Sequence, residues 1–305
     1  MRKLALKWLK LNLLIAVVAV LALSCKHTTP FQEEYYFQAL GKESNLVATA
    51  DIKKLNSAYP GSLATGVPYV DNNAERMSIA LFKDEYKEED VYPAPFTELK
   101  YYGALEGDFS SFIGNTGLSW SKPFFKAKDT EVKYYTNTEG SLNLAFPQNG
   151  ILLFASDSYP QAYEESIKNR QLYINTEDAT SMASSVVSCY VQDPKTMIDL
   201  GFDLPLSVLL QMHKALVSVV EKEGVYYLEG KLEMRSEKLA KTMLTLLRNI
   251  EIQRLKKEGE KPNYAILGAM YLQDGAFIQI APKQLANTEV KTFVDKLSII
   301  SGGVF

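Results

Sequence analysis

Two histidines and two cysteines are all that 305 residues supply, and the shortage excludes whole classes of chemistry. A Ser-His-Asp triad would have to draw on His27 or His213. Zinc held by nitrogen and sulfur ligands is poorly supplied. There is no C-x-x-C pair, no G-x-S-x-G elbow and no H-E-x-x-H helix. Neither G-x-G-x-x-G nor a Walker loop occurs, and "SGGVF" at the C-terminus lacks the strand and helix that a phosphate loop joins. One S-x-x-K match, Ser119 to Lys122 in "SWSK", has no S-D-N or K-T-G companion. The sequence predicts no catalytic residue, no cofactor and no metal, hence not an enzyme. No apolar run reaches the roughly 20 residues that a spanning helix needs.

What is present is an ordinary globular balance, 47% hydrophobic and 23% charged, in a chain long enough for one large domain or two of usual size. The formal charge is −3. The first 24 residues carry four basic side chains (Arg2, Lys3, Lys7, Lys10) and no acid, so the remainder stands at −7. A domain of that sign has no general attraction for nucleic acid.

Those 24 residues form a unit. Residues 1–10 hold the positive charge, residues 11–23 ("LNLLIAVVAVLAL") are apolar except for Asn12, and Ser24 is followed by Cys25. This is the order of a secretory signal. Thirteen residues of helix reach about 20 Å, short of a hydrocarbon core of about 30 Å. The segment "LALSC" resembles the lipobox of bacterial lipoproteins, with Ala22 where that pattern usually has leucine and leucines at 21 and 23. The resemblance implies that a dedicated peptidase cuts before Cys25 after its thiol is diacylated. Cys25 would then be the lipidated N-terminus of an extracytoplasmic protein held on the bacterial cell envelope, at the inner or the outer membrane. A diacylated cysteine supplies the two chains that stable anchoring requires. Residues 25–44, with Pro30 and many polar side chains, read as the lipidated cysteine and its tether.

The rest repeats itself weakly. "NLVATADIKKL" (45–55) and "SSVVSCYVQDPKTM" (184–197) each read as a strand passing through an aspartate into a helix. "LKYYGALEGDFSSFI" (99–113) matches "GVYYLEGKLEMRSEKLAKTM" (224–243) in a Tyr-Tyr pair, a Leu-Glu and a helix start. "FPQNGILLFASDSYPQAYEESIKN" (146–169) matches "YLQDGAFIQIAPKQLANTEVKTFV" (271–294), where Asn149-Gly150 and Asp274-Gly275 favour two-residue hairpin turns. The second half predicts a helical region over 193–214, a hairpin over 215–234 turning at Lys222-Glu223-Gly224, a long helix over 236–257, a hairpin over 264–281 and a last helix over 286–299. The first half predicts the same hairpin from residues 76–86 and 100–107, then a short helix in "DFSSFIGN". The expected fold is α+β: two weakly repeated β-α-β-β-α-β-β-α halves, 45–180 and 181–305, ferredoxin-like, with antiparallel sheets covered by helices on one face.

Few residues stand out as candidate sites. His213 reads as an ordinary histidine near the end of an apolar helix, His27 as a solvated tether residue and Cys189 as an inert strand thiol. The acidic run "KDEYKEEDVY" (83–92) lacks EF-hand spacing and reads as a hairpin loop, and "RLKKEGEKPN" (254–263) as a basic helix end. Trp120, Phe124 and Phe125, around Pro123, are expected to cap the core rather than to form an exposed binding loop. The function expected is a membrane-anchored, non-enzymatic binding or envelope-assembly module with an envelope protein as partner. The alternatives are a carrier of a hydrophobic ligand and a hydrolase with an unrecognised site.

Overall fold

The computed structural model describes residues 36–40, 44–59, 67–82, 100–127, 133–156, 172–196, 209–257 and 259–291. Cys25, His27, the acidic run 83–92 and the bulk of the helices expected over 193–214 and 286–299 lie outside them. In the first half, β1 is Leu46–Asp51, β2 Ala74–Phe82, β3 Lys100–Gly107, β4 Phe124–Lys126, β5 Tyr135–Asn137, β6 Asn143–Ala145 and β7 Ile151–Ala155. In the second, β8 is Val187–Val191, β9 Met212–Lys222, β10 Val225–Met234, β11 Tyr271–Asp274 and β12 Phe277–Gln284. The helices are α1 Tyr36–Leu40, α2 Ile52–Ala58, α3 Pro68–Asn73, α4 Ser111–Trp120, α5 Thr176–Ser184, α6 Glu237–Lys257 and α7 Tyr264–Met270. None of these helices is long and apolar enough to cross a membrane.

All twelve strands join one antiparallel sheet, in the order β11-β12-β10-β9-β8-β1-β2-β3-β7-β6-β5-β4. The first strands of the two halves meet at its middle, where Ala48 lies opposite Cys189. Outward from β1 run β2, β3, β7 and β6, and outward from β8 run β9, β10, β12 and β11, the same connectivity on both sides. The ferredoxin-like expectation is corrected here. A split β-α-β unit leaves room for another strand between its two, whereas β1 and β2 are direct antiparallel neighbours despite the helices between them. Each half is a three-strand meander completed by a hairpin.

A second correction concerns the faces. Along β1, Leu46, Ala48 and Ala50 enter one core with Ile52 and Leu55 of α2, Val70 of α3 and Ala240 and Met243 of α6. Val47 enters another core on the opposite face, with Phe37 and Leu40 of α1 and Ala179 and Met182 of α5. Helices therefore cover both faces, and central strands are buried on both sides instead of alternating between buried and exposed residues.

Local chemistry sets the boundaries. Asp51 accepts the Lys54 amide and starts α2, and Ser236 accepts the Leu239 amide at the head of α6. The turn at Glu223-Gly224 has φ of 56° and 79°, as a two-residue hairpin of this hand requires. The β11–β12 turn is Gly275 with Ala276, one residue later than expected, and Asn149-Gly150 ends a five-residue connection from Phe146. The expected hairpin over 264–281 begins instead with α7, because Asn263 accepts amides from Ala265 and Ile266 and nucleates a helical turn.

Candidate functional site

On the face that carries α1 and α5, the sheet beyond α5 is open. A groove of about 420 Å³ is lined there by residues including Glu177, Ser181, Ser218, Lys231, Leu272 and Gln279. It adjoins a cleft of about 100 Å³ beside Tyr190, Lys214, Glu233 and Phe277. Cross-strand register aligns Tyr190, Leu216, Lys231 and Gln279 in one row, and Lys214, Glu233 and Phe277 in the next. The charges in these rows are spent on one another. Lys231 lies 3.7 Å from Glu177, 3.9 Å from Asp178 and 5.1 Å above the Phe277 ring. Lys214 lies 3.3 Å from Glu233, and Lys222 lies 3.7 Å from Glu229. Burial pushes the Tyr190 hydroxyl up. Burial alone would lower the Lys214 pKa, but Tyr190 and Glu233 outweigh it and hold that pKa above its ordinary value. The matching face of β3 and β7 in the first half is buried, at Tyr102, Ala104, Ile151 and Leu153.

The other outstanding surface is α4 with β4. Ser110 caps the helix on the Ile113 amide. The inner side of α4 is fastened by polar contacts: the Asn149 side chain accepts from the amide and hydroxyl of Ser111, and Asn115 donates to the Ser111 and Phe146 carbonyls. The Tyr135 hydroxyl donates to the Asn115 carbonyl. Gly114 lies against the Phe146 ring and Leu118 packs on the core. At 100° per residue the opposite side presents Phe112, Ile113, Thr116 and Trp120. Phe112 is 67% exposed, Trp120 83% and Phe125 of β4 53%. The helix is thus turned inside out, polar ties inward and aromatics outward. From Ser110 to Ala127 the chain has no acid and two lysines, Lys122 and Lys126, both exposed. The sequence has two tryptophans, Trp8 and Trp120, so Trp120 is the only one after residue 24.

These positions correct the expectation of an aromatic cap. Phe124 does pack against the core, but Trp120 and Phe125 do not, because α4 runs on through Trp120 and itself covers the core where the long helix is absent. The signal in the sequence was the uncharged stretch 109–121, whose apolar side chains at 112, 113 and 120 fall on one helical face while Gly114 supplies the flat opposite side.

The remaining candidates are scattered. Cys189 is buried in β8, and burial pushes its thiol up to about 12. It should therefore stay unmodified by a thiol reagent in the native protein at neutral pH and react fully once unfolded, a contrast of at least about a thousandfold in rate. Labelling in the native protein at the free-thiol rate would place it at the surface. His213 stands exposed on β9, not on a helix as expected, since the strand begins at Met212. Ser119 donates to the Thr116 carbonyl on α4. Among the described residues no group of three metal-ligating side chains converges.

No protein-family model matches the chain, and no curated protein does. Solved structures of the protein TP0453 are similar to it in fold. Crystal form III aligns with a TM-score of 0.56 at 10% identity, over 85% of this chain and 97% of that one. Form I gives 0.55 at 9%, over 90% and 99%, and form IV 0.55 at 12%, over 85% and 96%. At such identity the likeness is one of architecture.

Proposed function

We propose that the chain is a lipid-anchored extracytoplasmic protein of the bacterial envelope, without catalytic activity, that lays α4 and β4 on the bilayer surface beside its anchor. The observation that carries this reading is the outward apolar face of α4, with Trp120 almost wholly exposed. Tryptophan and phenylalanine beside lysine is the composition of a membrane interface, where aromatic rings sit at headgroup level and lysines meet anionic lipid. Each lysine near such a surface contributes about 1 kcal/mol. The patch is small for a protein partner: a stable interface buries about 800 Å² on each side, more than four exposed side chains supply. An anchored protein needs less. Ten residues lie between Cys25 and Tyr36, and the eleven steps along the chain reach at most about 40 Å. Tethering at that range gives the patch an effective concentration near millimolar, so weak contacts engage.

The acylated protein reconstituted into vesicles containing brominated phosphatidylglycerol tests this. Trp120 emission should shift to the blue and be quenched at least about twofold, and Phe112→Ser with Phe125→Ser should reverse most of that. Emission that stays red and unquenched in the anchored protein would show α4 facing water, and the bilayer reading would fall.

A further inference from the structure

Beneath α5, the α1 face of the sheet carries a buried row of hydroxyls. Ser78, Thr49, Ser188 and Ser218 stand side by side across β2, β1, β8 and β9. One step along the strands, Asp51, Arg76 and Glu106 form a second row across β1, β2 and β3. Arg76 is buried, and its guanidinium reaches up to the end of α5. Nη2 donates to the Ala183 carbonyl at 2.8 Å and to the Ser185 carbonyl at 3.4 Å, while Nη1 donates to Thr49 Oγ1 at 3.0 Å. Asp51 lies 3.6 Å from the same guanidinium. The last carbonyls of a helix have no partner within it and carry its negative pole, so Arg76 is a cationic cap supplied by the sheet.

Glu106 is the unexplained member. It is 2% exposed and neither carboxyl oxygen has a hydrogen-bond partner. Burial drives its pKa well above the ordinary carboxylate range, against the opposing pull of Arg76 and with a small push from Glu75. Cross-strand neighbours on one face stand about 5 Å apart at Cβ, so an ionised Glu106 would compete for the guanidinium with carbonyls that carry only partial charge. The other groups around it are accounted for. Glu75 pairs with Lys53, β7 presents Ile151, and the acids at the far end of α5, Glu177 and Asp178, pair with Lys231.

We propose that Arg76 and Glu106 form a proton-controlled latch on α5: with Glu106 neutral, Arg76 caps the helix and holds it on the sheet, and with Glu106 ionised, Arg76 turns to the carboxylate and the C-terminal turn of α5 loosens. α5 is one wall of the groove, so release widens that groove. The latch is independent of the bilayer reading of α4.

The sign follows from linkage. Unfolded Glu106 loses its proton in the ordinary range and folded Glu106 only at a higher pH. The folded state is therefore favoured least above that higher value, and its stability falls as pH rises between the two. Hydrogen exchange on the full mature protein, corrected for intrinsic rates and followed upward from the ordinary carboxylate range to the highest pH at which the fold holds, reads the latch directly. Protection of residues 176–185 should fall over that range by at least about tenfold more than protection of α6. Glu106→Gln should keep α5 protected throughout, and Glu106→Leu, without an ionisable group, should do the same. An unchanged α5 in the native protein, or the same fall in both variants, would overturn the latch.

Discussion

Cys25→Ala is expected to abolish membrane retention. Purified from native membranes, the parent protein should have lost residues 1–24 and gained the mass of its acyl chains. The alanine variant should show neither change. At about 0.8 kcal/mol for each buried methylene, two chains contribute roughly 20 kcal/mol, so the effect is all or none and not a graded loss. Intact mass separates the alternatives. A cleaved chain with unmodified Cys25 describes a free periplasmic or secreted protein, and a retained leader describes an uncleaved anchor. The first of these results would also remove the tether on which the bilayer reading of α4 depends.

Gly107→Ala should be the most damaging of the small substitutions in the sheet. A Cβ at this position would stand 1.9 Å from the Asn73 carbonyl oxygen, a backbone atom already committed to the Asp108 amide at 2.9 Å. The Gly107 amide in turn donates to the Gly150 carbonyl at 3.0 Å. Three chain segments close on one point, at the bulge where β2 meets β3. No side-chain rotation relieves a clash with backbone, so a loss of about 3 kcal/mol is expected, and a fall in Tm of about 6–12 °C. Gly117→Ala is the control. Nothing lies within 4 Å of its added methyl, and it sits inside α4, where alanine gains up to about 1 kcal/mol over glycine. The two substitutions should move the melting temperature in opposite directions. Equal effects would mean that the close approach at Gly107 is absent from the folded protein.

Much of this arrangement could be read from residue order, and the failures are instructive. Val217, Val219 and Val220 followed by Lys222-Glu223-Gly224 specify the β9–β10 hairpin, since β-branched residues favour the pleat and the turn demands φ > 0. Leu239, Met243, Leu246 and Ile250 recur at helical spacing in α6. The run Tyr264–Met270 is apolar at nearly every position, so periodicity carries little there, and the deciding residue is the cap at Asn263. Both-sided burial was written in β1, where Val47 and Ala48 are equally apolar, but a short continuous run does not say which element covers which face. Trp120 defeats the pattern altogether. Large aromatics are buried by default, and only the polar ties on the far side of α4 reveal that this one points outward. The pairing of Arg76 with the end of α5 crosses 107 positions of sequence and left no local trace.

The seam between β1 and β8 has a mechanical meaning. Two halves joined through side chains can hinge or slide, but two halves joined by a hydrogen-bonded ladder cannot. Slipping by one residue would turn Val47 and Ala48 to the wrong faces, and the backbone bonds of the seam resist in shear together. With β4 at one border and β11 at the other, twelve strands at about 4.8 Å make a beam roughly 50 Å across. Such a beam is a ruler. Where α4 rests on lipid, α7 and the β11 border are held a fixed distance from that contact.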